Sequence, residues 1–89
     1  MDKKAARSLL INQLCSISEH DKMNGFLACI LTGPEIRDIV DRIRIYSMLI
    51  DGEVSQRKIA TELGVSLYKV TRGAANLSRH KPQKYFKSE

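Results

Sequence analysis

The chain has 89 residues, of which 43% are hydrophobic and 28% charged, a composition typical of one ordinary folded domain. No apolar run approaches the roughly 18 residues that a membrane helix needs, and we expect no signal peptide. Residues 1–53 carry seven Lys or Arg against eight acids, whereas residues 54–89 carry eight against two, so the net charge of +5 belongs to the C-terminal part. Because a concentrated basic field attracts phosphate, nucleic acid is an expected partner.

The two cysteines show no metal-binding pattern. Cys15 and Cys29 stand among Leu, Ile and Ala at helix-like positions, without a Cys-x-x-Cys pair or a nearby His-x-His. They therefore predict buried, reduced thiols, no bound metal and a location in the cytoplasm.

Two helices are predicted in the N-terminal third. The first runs from Lys3 to about Ser18. Its apolar stripe consists of Leu9, Leu10, Leu14 and Ile17. The polar run from Ser18 to Lys22 predicts a break, and Met23 to Leu31 then predicts a short, strongly apolar second helix that we expect to be buried.

A longer third helix is predicted from Pro34 to Asp51. Thr32 or Gly33 is placed to cap it, and Pro34 suits a first helical turn because its missing N–H would be unpaired there. Gly52 is expected to end the helix in the left-handed conformation. No stretch alternates apolar and polar residues between turn residues, so no sheet is predicted.

The segment from Ser55 to Arg72 predicts two helices joined by a tight turn, the pattern of a helix-turn-helix. Ser55 and Ser66 are suitable N-caps, and Gly64 supplies the positive φ needed between the helices. Val70 should return to the core, which leaves one exposed face on the second helix. The residues of that face are Leu67, Tyr68, Lys69 and Thr71.

An exposed helix of this kind fits the major groove of a DNA duplex while the helix before it lies across the backbone. We therefore predict sequence-specific binding to double-stranded DNA. The predicted DNA-binding residues are Gln56, Arg57, Lys58, Ser66, Leu67, Tyr68, Lys69 and Thr71. Further neutralising charge is expected from Arg79, Lys81, Lys84 and Lys87.

Several short motifs resemble the Trp repressor family. They are Leu31-Thr32, Arg42-Ile43-Arg44-Ile45, Leu49-Ile50-Asp51-Gly52-Glu53, Ser55-Gln56-Arg57 and Val70-Thr71-Arg72-Gly73. The resemblance runs from Leu31 to Leu77, about half the chain. It implies an all-α helical bundle that forms an intertwined homodimer and represses transcription at a palindromic operator, with L-tryptophan as corepressor and no other cofactor. On this basis residues 1–89 form one domain, with a dimerisation core at 1–53, the helix-turn-helix at 55–78 and a basic tail at 79–89.

The same resemblance implies a tryptophan site. Arg42 and Arg72 would flank the indole ring, and Arg72 with the Thr32 hydroxyl would hold the carboxylate. The backbone carbonyls of Cys29 and Leu31 would receive the ammonium group. Guanidinium groups suit these roles because they pair with carboxylates and stack on aromatic faces. Gly73 would leave room for the ring.

This chain departs from the family pattern at three places. Tyr46 stands where the family has a small aliphatic residue lining the indole pocket, and Asn76 replaces a serine hydroxyl near the amino group. The C-terminal helix is reduced to about Gln83 to Lys87, after Pro82.

Three alternatives stay open at this point. In the first, the protein is a regulator of the same fold that does not respond to tryptophan, because Tyr46 alters the pocket. In the second, Arg42 and Arg72 are surface ion-pair partners, for example of Asp38 or Glu62, and contact no ligand. In the third, the helical dimer is a protein-interaction module with an incidental basic tail. An enzyme is not expected, since no catalytic constellation or Gly-rich phosphate loop is visible, and no catalytic residue is assigned.

Overall fold

Residues 1–86 are described in the computed structural model, and they form five α-helices and one 3₁₀ turn. The elements are α1 (Lys3–Ser16), α2 (His20–Ile30), α3 (Gly33–Asp51), α4 (Gln56–Leu63), α5 (Leu67–His80) and the 3₁₀ turn Pro82–Lys84. Residues 1–86 contain no β-strand, and none of their helices is long and apolar enough to cross a membrane. The predicted all-α class is confirmed.

Four of the five α-helices begin where a side chain accepts a hydrogen bond from a free backbone N–H group, whereas α2 has no side-chain cap. Asp2 Oδ1 accepts a hydrogen bond from the Ala5 N–H at 2.8 Å, which starts α1. Before α3, Thr32 Oγ1 accepts from the Glu35 N–H at 3.3 Å, and Glu35 Oε1 accepts from the Thr32 N–H at 2.8 Å. This reciprocal pair is a capping box, so Thr32 is the capping residue of the two that the sequence offered.

The structure divides into two compact units, of which the first covers Met1–Ile36. Its helices α1 and α2 contain no fully buried residue. Met23, Phe26 and Leu27 are half-buried, whereas Leu9 is 46% and Ile11 48% exposed. The prediction that the second helix is buried is therefore wrong within one chain, because this unit supplies too few elements to cover it.

The second unit begins at Arg37 and contains the small core of the chain. Ile45 of α3, Ile59 of α4 and Val70 of α5 are almost completely buried against one another. Half-buried apolar side chains surround them: Met48, Leu49, Val54, Ala60, Leu63 and Val65. The core thus joins the last part of α3 to the α4–α5 pair.

Several sequence predictions need correction. α2 begins at His20 rather than Met23, because His20, Asp21 and Lys22 form its exposed first turn, where polar residues carry no penalty. Cys15 and Cys29 are both exposed and not buried. In place of a helix over Gln83–Lys87 the chain forms a 3₁₀ turn at Pro82–Lys84, while Lys87 lies outside the described residues.

Candidate functional site

The α4–α5 pair has the predicted capping geometry. Ser55 Oγ accepts a hydrogen bond from the Lys58 N–H, and Ser66 Oγ accepts one from the Lys69 N–H, each at 3.2 Å. Between the helices Gly64 has φ 67°, a left-handed conformation that residues with a Cβ rarely adopt. Val70 anchors α5 in the core, and this fixes which face of α5 stays outside.

The face predicted to read DNA is exposed. Tyr68 is 69% exposed, and Leu67, Lys69 and Thr71 are also classed as exposed. Thr71 Oγ1 donates to Gln56 Oε1 at 3.1 Å, which ties this face to the start of α4. These positions satisfy the exposure that groove binding requires.

Two further predicted DNA contacts lie on α4, and both are exposed. Arg57 forms no ion pair among residues 1–86. Lys58 pairs with Glu62 on the same helix, with 3.9 Å between Nζ and Oε1. The Arg57 charge is therefore the more available of the two for a phosphate.

A cavity of about 320 Å³ lies between α3 and α5, within the second unit. This volume is at the lower end of the range of roughly 300–1,000 Å³ seen for small-molecule sites. Its lining residues are Asp38, Asp41, Arg42, Ile45, Tyr46, Ser66, Tyr68, Lys69, Arg72, Gly73 and Asn76. The cavity is thus lined both by predicted ligand residues and by predicted DNA-reading residues.

Neither predicted ligand arginine is paired with a carboxylate in the described part of the chain. Arg72 Nη1 instead donates a hydrogen bond to the Tyr68 hydroxyl oxygen at 3.1 Å. The acids suggested as alternative partners are bound elsewhere, Asp38 to Lys69 and Glu62 to Lys58. Arg42 and Arg72 consequently supply positive charge to the cavity without internal neutralisation by those acids.

Lys69 connects α5 to α3 through two carboxylates. Its Nζ lies 3.3 Å from Asp38 Oδ1 and 3.5 Å from Asp41 Oδ2. The hydrogen bond and the attraction of Asp38, with a smaller contribution from Asp41, raise the pKa of Lys69 above its ordinary 10.5. The ammonium group is therefore charged at any physiological pH.

Tyr46 forms part of the cavity wall with two neighbours. Asn76 Nδ2 donates to the Tyr46 hydroxyl oxygen at 3.2 Å, and the ring of Phe86 lies 6.0 Å from the Tyr46 ring between centroids. Tyr46 is half-buried, and these two contacts hold its side chain. One donor of the Asn76 amide is already used inside the protein.

Five of the eight predicted ligand residues line this cavity: Arg42, Tyr46, Arg72, Gly73 and Asn76. The other three lie in the first unit, Cys29 in α2 and Leu31 with Thr32 in the turn before α3. Asp38 and Asp41 also line the cavity and were not predicted to do so from the sequence. Asp38, Asp41 and the buried Ile45 follow one another at spacings of three and four residues, which places them on one face of α3 and is visible in the sequence.

Among residues 1–86 no group of three or more His, Cys, Asp or Glu side chains is arranged to hold a metal ion. The polar groups that line the cavity are guanidinium, ammonium, carboxylate, phenol, hydroxyl and amide groups. Such groups recognise a ligand that combines charge with an aromatic ring.

Comparison with known proteins gives one family. The family model described as "Trp repressor protein" matches residues 6–87. A Trp operon repressor homolog of Xylella fastidiosa (strain M23) is 49% identical over 77 residues, which is 86% of this chain and 84% of the relative. A Trp operon repressor homolog of Chlamydia trachomatis serovar L2 is 35% identical over 71 residues, 79% of this chain and 76% of the relative. A further one, from Aliivibrio fischeri (strain MJ11), is 32% identical over 73 residues, 82% of this chain and 68% of the relative. No solved structure matches.

Proposed function

The chain belongs to the Trp repressor family, and from that membership we propose that it is a sequence-specific DNA-binding transcriptional repressor activated by L-tryptophan. The family is one of transcription regulators, not enzymes. Duplex DNA is the partner, and the cytoplasm is the compartment where the protein meets it.

The shared cavity is the observation that carries this proposal. Arg42 and Arg72, neither of which has a carboxylate partner among residues 1–86, line the same space as Tyr68 and Lys69 of the exposed α5 face. A small molecule in this space would contact the DNA-facing helix directly. Such a ligand shifts the population toward the orientation of α5 that it binds better.

Tryptophan fits the chemistry of the cavity. A guanidinium group pairs with a carboxylate through two parallel hydrogen bonds and also stacks on an aromatic ring. Arg72 would bind the carboxylate together with the Thr32 hydroxyl, and Arg42 would stack on the indole. The backbone carbonyls of Cys29 and Leu31 would accept hydrogen bonds from the ammonium group.

DNA binding is assigned to the helix-turn-helix formed by α4 and α5. The caps at Ser55 and Ser66, the left-handed Gly64 and the exposed α5 face support this assignment. Leu67 and Tyr68 would offer apolar contact to the bases, and Lys69 and Thr71 would bind base edges or phosphates. Gln56, Arg57, Lys58 and Ser66 would contact the backbone or support the reading residues.

An intertwined homodimer completes the proposal. α1 and α2 bury no side chain fully, and α3 leaves Ile39, Val40 and Ile43 at least 40% exposed. Exposed apolar side chains on the helices of a small chain are typical of a dimer interface. Two reading helices related by a two-fold axis would then contact successive major grooves, about one helical turn apart.

Tyr46 favours one alternative, a regulator of the same fold that does not respond to tryptophan. Its ring takes up space in the cavity, and its hydroxyl oxygen already accepts a hydrogen bond from Asn76. A smaller aromatic ligand, or none, would then suit the site.

Selection of bound sequences from random duplex DNA, with and without L-tryptophan, tests the proposal. We expect a palindromic sequence to be enriched only, or much more strongly, when tryptophan is present. Equal enrichment in both samples, together with no heat of binding at millimolar tryptophan in calorimetry, would support the alternative without a tryptophan response.

Salt dependence separates a DNA-binding protein from a protein-interaction module. The logarithm of the DNA association constant should fall steeply as the logarithm of salt concentration rises, because phosphate contacts release counterions. A binding constant that is insensitive to salt, or no binding to any duplex, would contradict the proposed function altogether.

A further inference from the structure

Lys69 is a residue of the exposed α5 face whose charged group is bound to a different helix. Its Nζ lies 3.3 Å from Asp38 Oδ1 and 3.5 Å from Asp41 Oδ2, and both carboxylates belong to α3. Since Lys69 is the third residue of α5, this contact holds the N-terminal turn of the helix. We refer to Lys69, Asp38 and Asp41 as the lysine latch.

The lysine latch differs from the other lysine ion pairs of the described residues. Lys58 meets one carboxylate, that of Glu62, one turn away on its own helix, and such exposed single pairs contribute little. Lys69 meets two carboxylates on another helix; the Lys69 and Asp38 side chains are 45% and 58% exposed, whereas the Asp41 side chain is 25% exposed, so solvent screens the Asp41 contact less. Separating Lys69 from both aspartates therefore breaks two contacts between helices instead of one within a helix.

Because Lys69 lies on the exposed face of α5, the lysine latch affects how the protein would bind DNA. A lysine that neutralises a phosphate releases a condensed counterion and so adds to affinity. While Asp38 and Asp41 hold Lys69, its charge is neutralised within the protein, and the two carboxylates repel an approaching phosphate.

We propose that Asp38 and Asp41 are positioning residues that hold Lys69 on α3 and thereby lower the affinity of the protein for DNA, because the held Lys69 does not neutralise a phosphate. This inference rests on the proposed function, because it assumes that α5 faces a duplex. The inference adds two acidic residues to that function: Asp38 and Asp41 would not contact DNA themselves, but they would lower the electrostatic contribution to DNA affinity.

The test compares DNA binding by the wild type and by the Asp38→Asn/Asp41→Asn variant over a range of salt concentrations. The probe is a random-sequence duplex, which reports the electrostatic part of binding. We expect the variant to bind more tightly, by about eightfold per released lysine at about 0.1 M salt. Its log–log salt slope should be steeper by about 0.9 per subunit.

A matched control removes two negative charges elsewhere. Asp51→Asn/Glu53→Gln changes the net charge equally, and both residues are exposed and form no ion pair among residues 1–86. If the lost negative charges act only by reducing the general repulsion between protein and DNA, the control and the Asp38→Asn/Asp41→Asn variant should gain the same affinity. The lysine latch instead predicts that the salt slope becomes steeper in the Asp38→Asn/Asp41→Asn variant alone.

A double-mutant cycle attributes the effect to Lys69. In a Lys69→Gln background, the two Asp→Asn substitutions should change binding no more than the control does. Circular dichroism confirms that each variant is folded. If the double variant does not fold, Asp38→Asn alone replaces it, since this change keeps the contact between Asp41 and Arg44 at 3.6 Å.

The outcomes separate the two proposals. Equal gains in the aspartate variant and the control, or a gain that persists without Lys69, would overturn the lysine latch while leaving DNA binding intact. Absence of salt-dependent DNA binding in the wild type and in every variant would overturn the proposed function and the lysine latch with it.

Discussion

Ile45 and Gly73 are in such close contact that position 73 has no space for a side chain. A Cβ placed there would lie 2.9 Å from Ile45 Cγ2 and 3.4 Å from Leu49 Cδ1. Ile45 is almost completely buried and β-branched, so its methyl group has little freedom to move. The close approach of α5 to α3, and with it the shape of the cavity, depends on this glycine.

Gly73→Ala should therefore destabilise the fold by about 1–3 kcal/mol, the usual range for overpacking a well-packed core. Denaturant unfolding at a fixed protein concentration measures this loss. Gly25→Ala in α2 is the matched control, because nothing lies within 4 Å of its added Cβ. The control should gain up to about 1 kcal/mol from improved helix propensity. Equal effects of the two substitutions would contradict the packing explanation.

Arg72→Ala should weaken tryptophan binding roughly ten- to a hundredfold, since a hydrogen bond to a charged group contributes about 1.5–3 kcal/mol. Calorimetry with L-tryptophan measures the change. Arg37→Ala, which removes an exposed arginine of α3 outside the cavity, is the control and should bind like the wild type. If Arg72→Ala bound tryptophan as the wild type does, Arg72 would not hold the carboxylate.

Tyr46→Val should enlarge the cavity and tighten tryptophan binding, because the Tyr46 ring lines the cavity and a smaller side chain would leave more room for an indole. Tyr46→Phe removes only the acceptor of the Asn76 hydrogen bond at 3.2 Å and should stay within about threefold of the wild type. Tighter binding by Tyr46→Phe than by Tyr46→Val would assign the restriction to the hydroxyl and not to the ring.

Lys69→Ala combined with Thr71→Ala should relax sequence preference, since both side chains lie on the reading face. A lost base contact costs about 1–3 kcal/mol of discrimination at its position. Sequence selection with the folded double variant gives the result. Lys84→Ala, an exposed cation of the 3₁₀ turn, should instead weaken binding to all sequences alike. Unchanged selection by the double variant would rule out α5 as the reading helix.

The capping box at the start of α3 gives a pH dependence. The hydrogen bond from the Thr32 backbone N–H, followed by the Thr32 side chain, lowers the pKa of Glu35 below its ordinary 4.5. Because the pKa of Glu35 is lower in the folded protein than in the unfolded chain, its ionised carboxylate stabilises the fold at pH values above the unfolded-state pKa. This contribution is lost as the pH falls through the folded-state pKa. The stability difference between the wild type and Glu35→Gln should therefore shrink on acidification below pH 4.5, as measured by thermal unfolding at several pH values. A difference that is constant with pH would contradict this.

The elements of the second unit were the most predictable from the sequence. Ser55, Gly64 and Ser66 each have a local function that depends on neighbours within a few residues, and all three have the expected geometry. Gly52 likewise has the expected positive φ of 70° at the end of α3. Capping and turn chemistry act over short distances, which is why the sequence reveals them.

Other features depend on contacts that sequence periodicity does not encode. Asp38 and Asp41 meet Lys69 across about 30 positions of sequence, so only the folded arrangement identifies the pair. The apolar pattern of α2 predicts a buried face without indicating what covers it. Within one chain that face stays partly open, and Cys29 is exposed with it.

The small core and the open N-terminal unit have a consequence for the protein in a cell. Among residues 1–86 the buried hydrophobic core consists of Ile45, Ile59 and Val70, all in the second unit, and α1 and α2 contain no buried residue, so these two helices have little to stabilise them within one chain. In a dimer assembled as proposed, a chain that has not met a second copy would leave α1 and α2 more open to local unfolding and to proteolysis than an assembled chain. The proportion of intact protein would then depend on the concentration of chains.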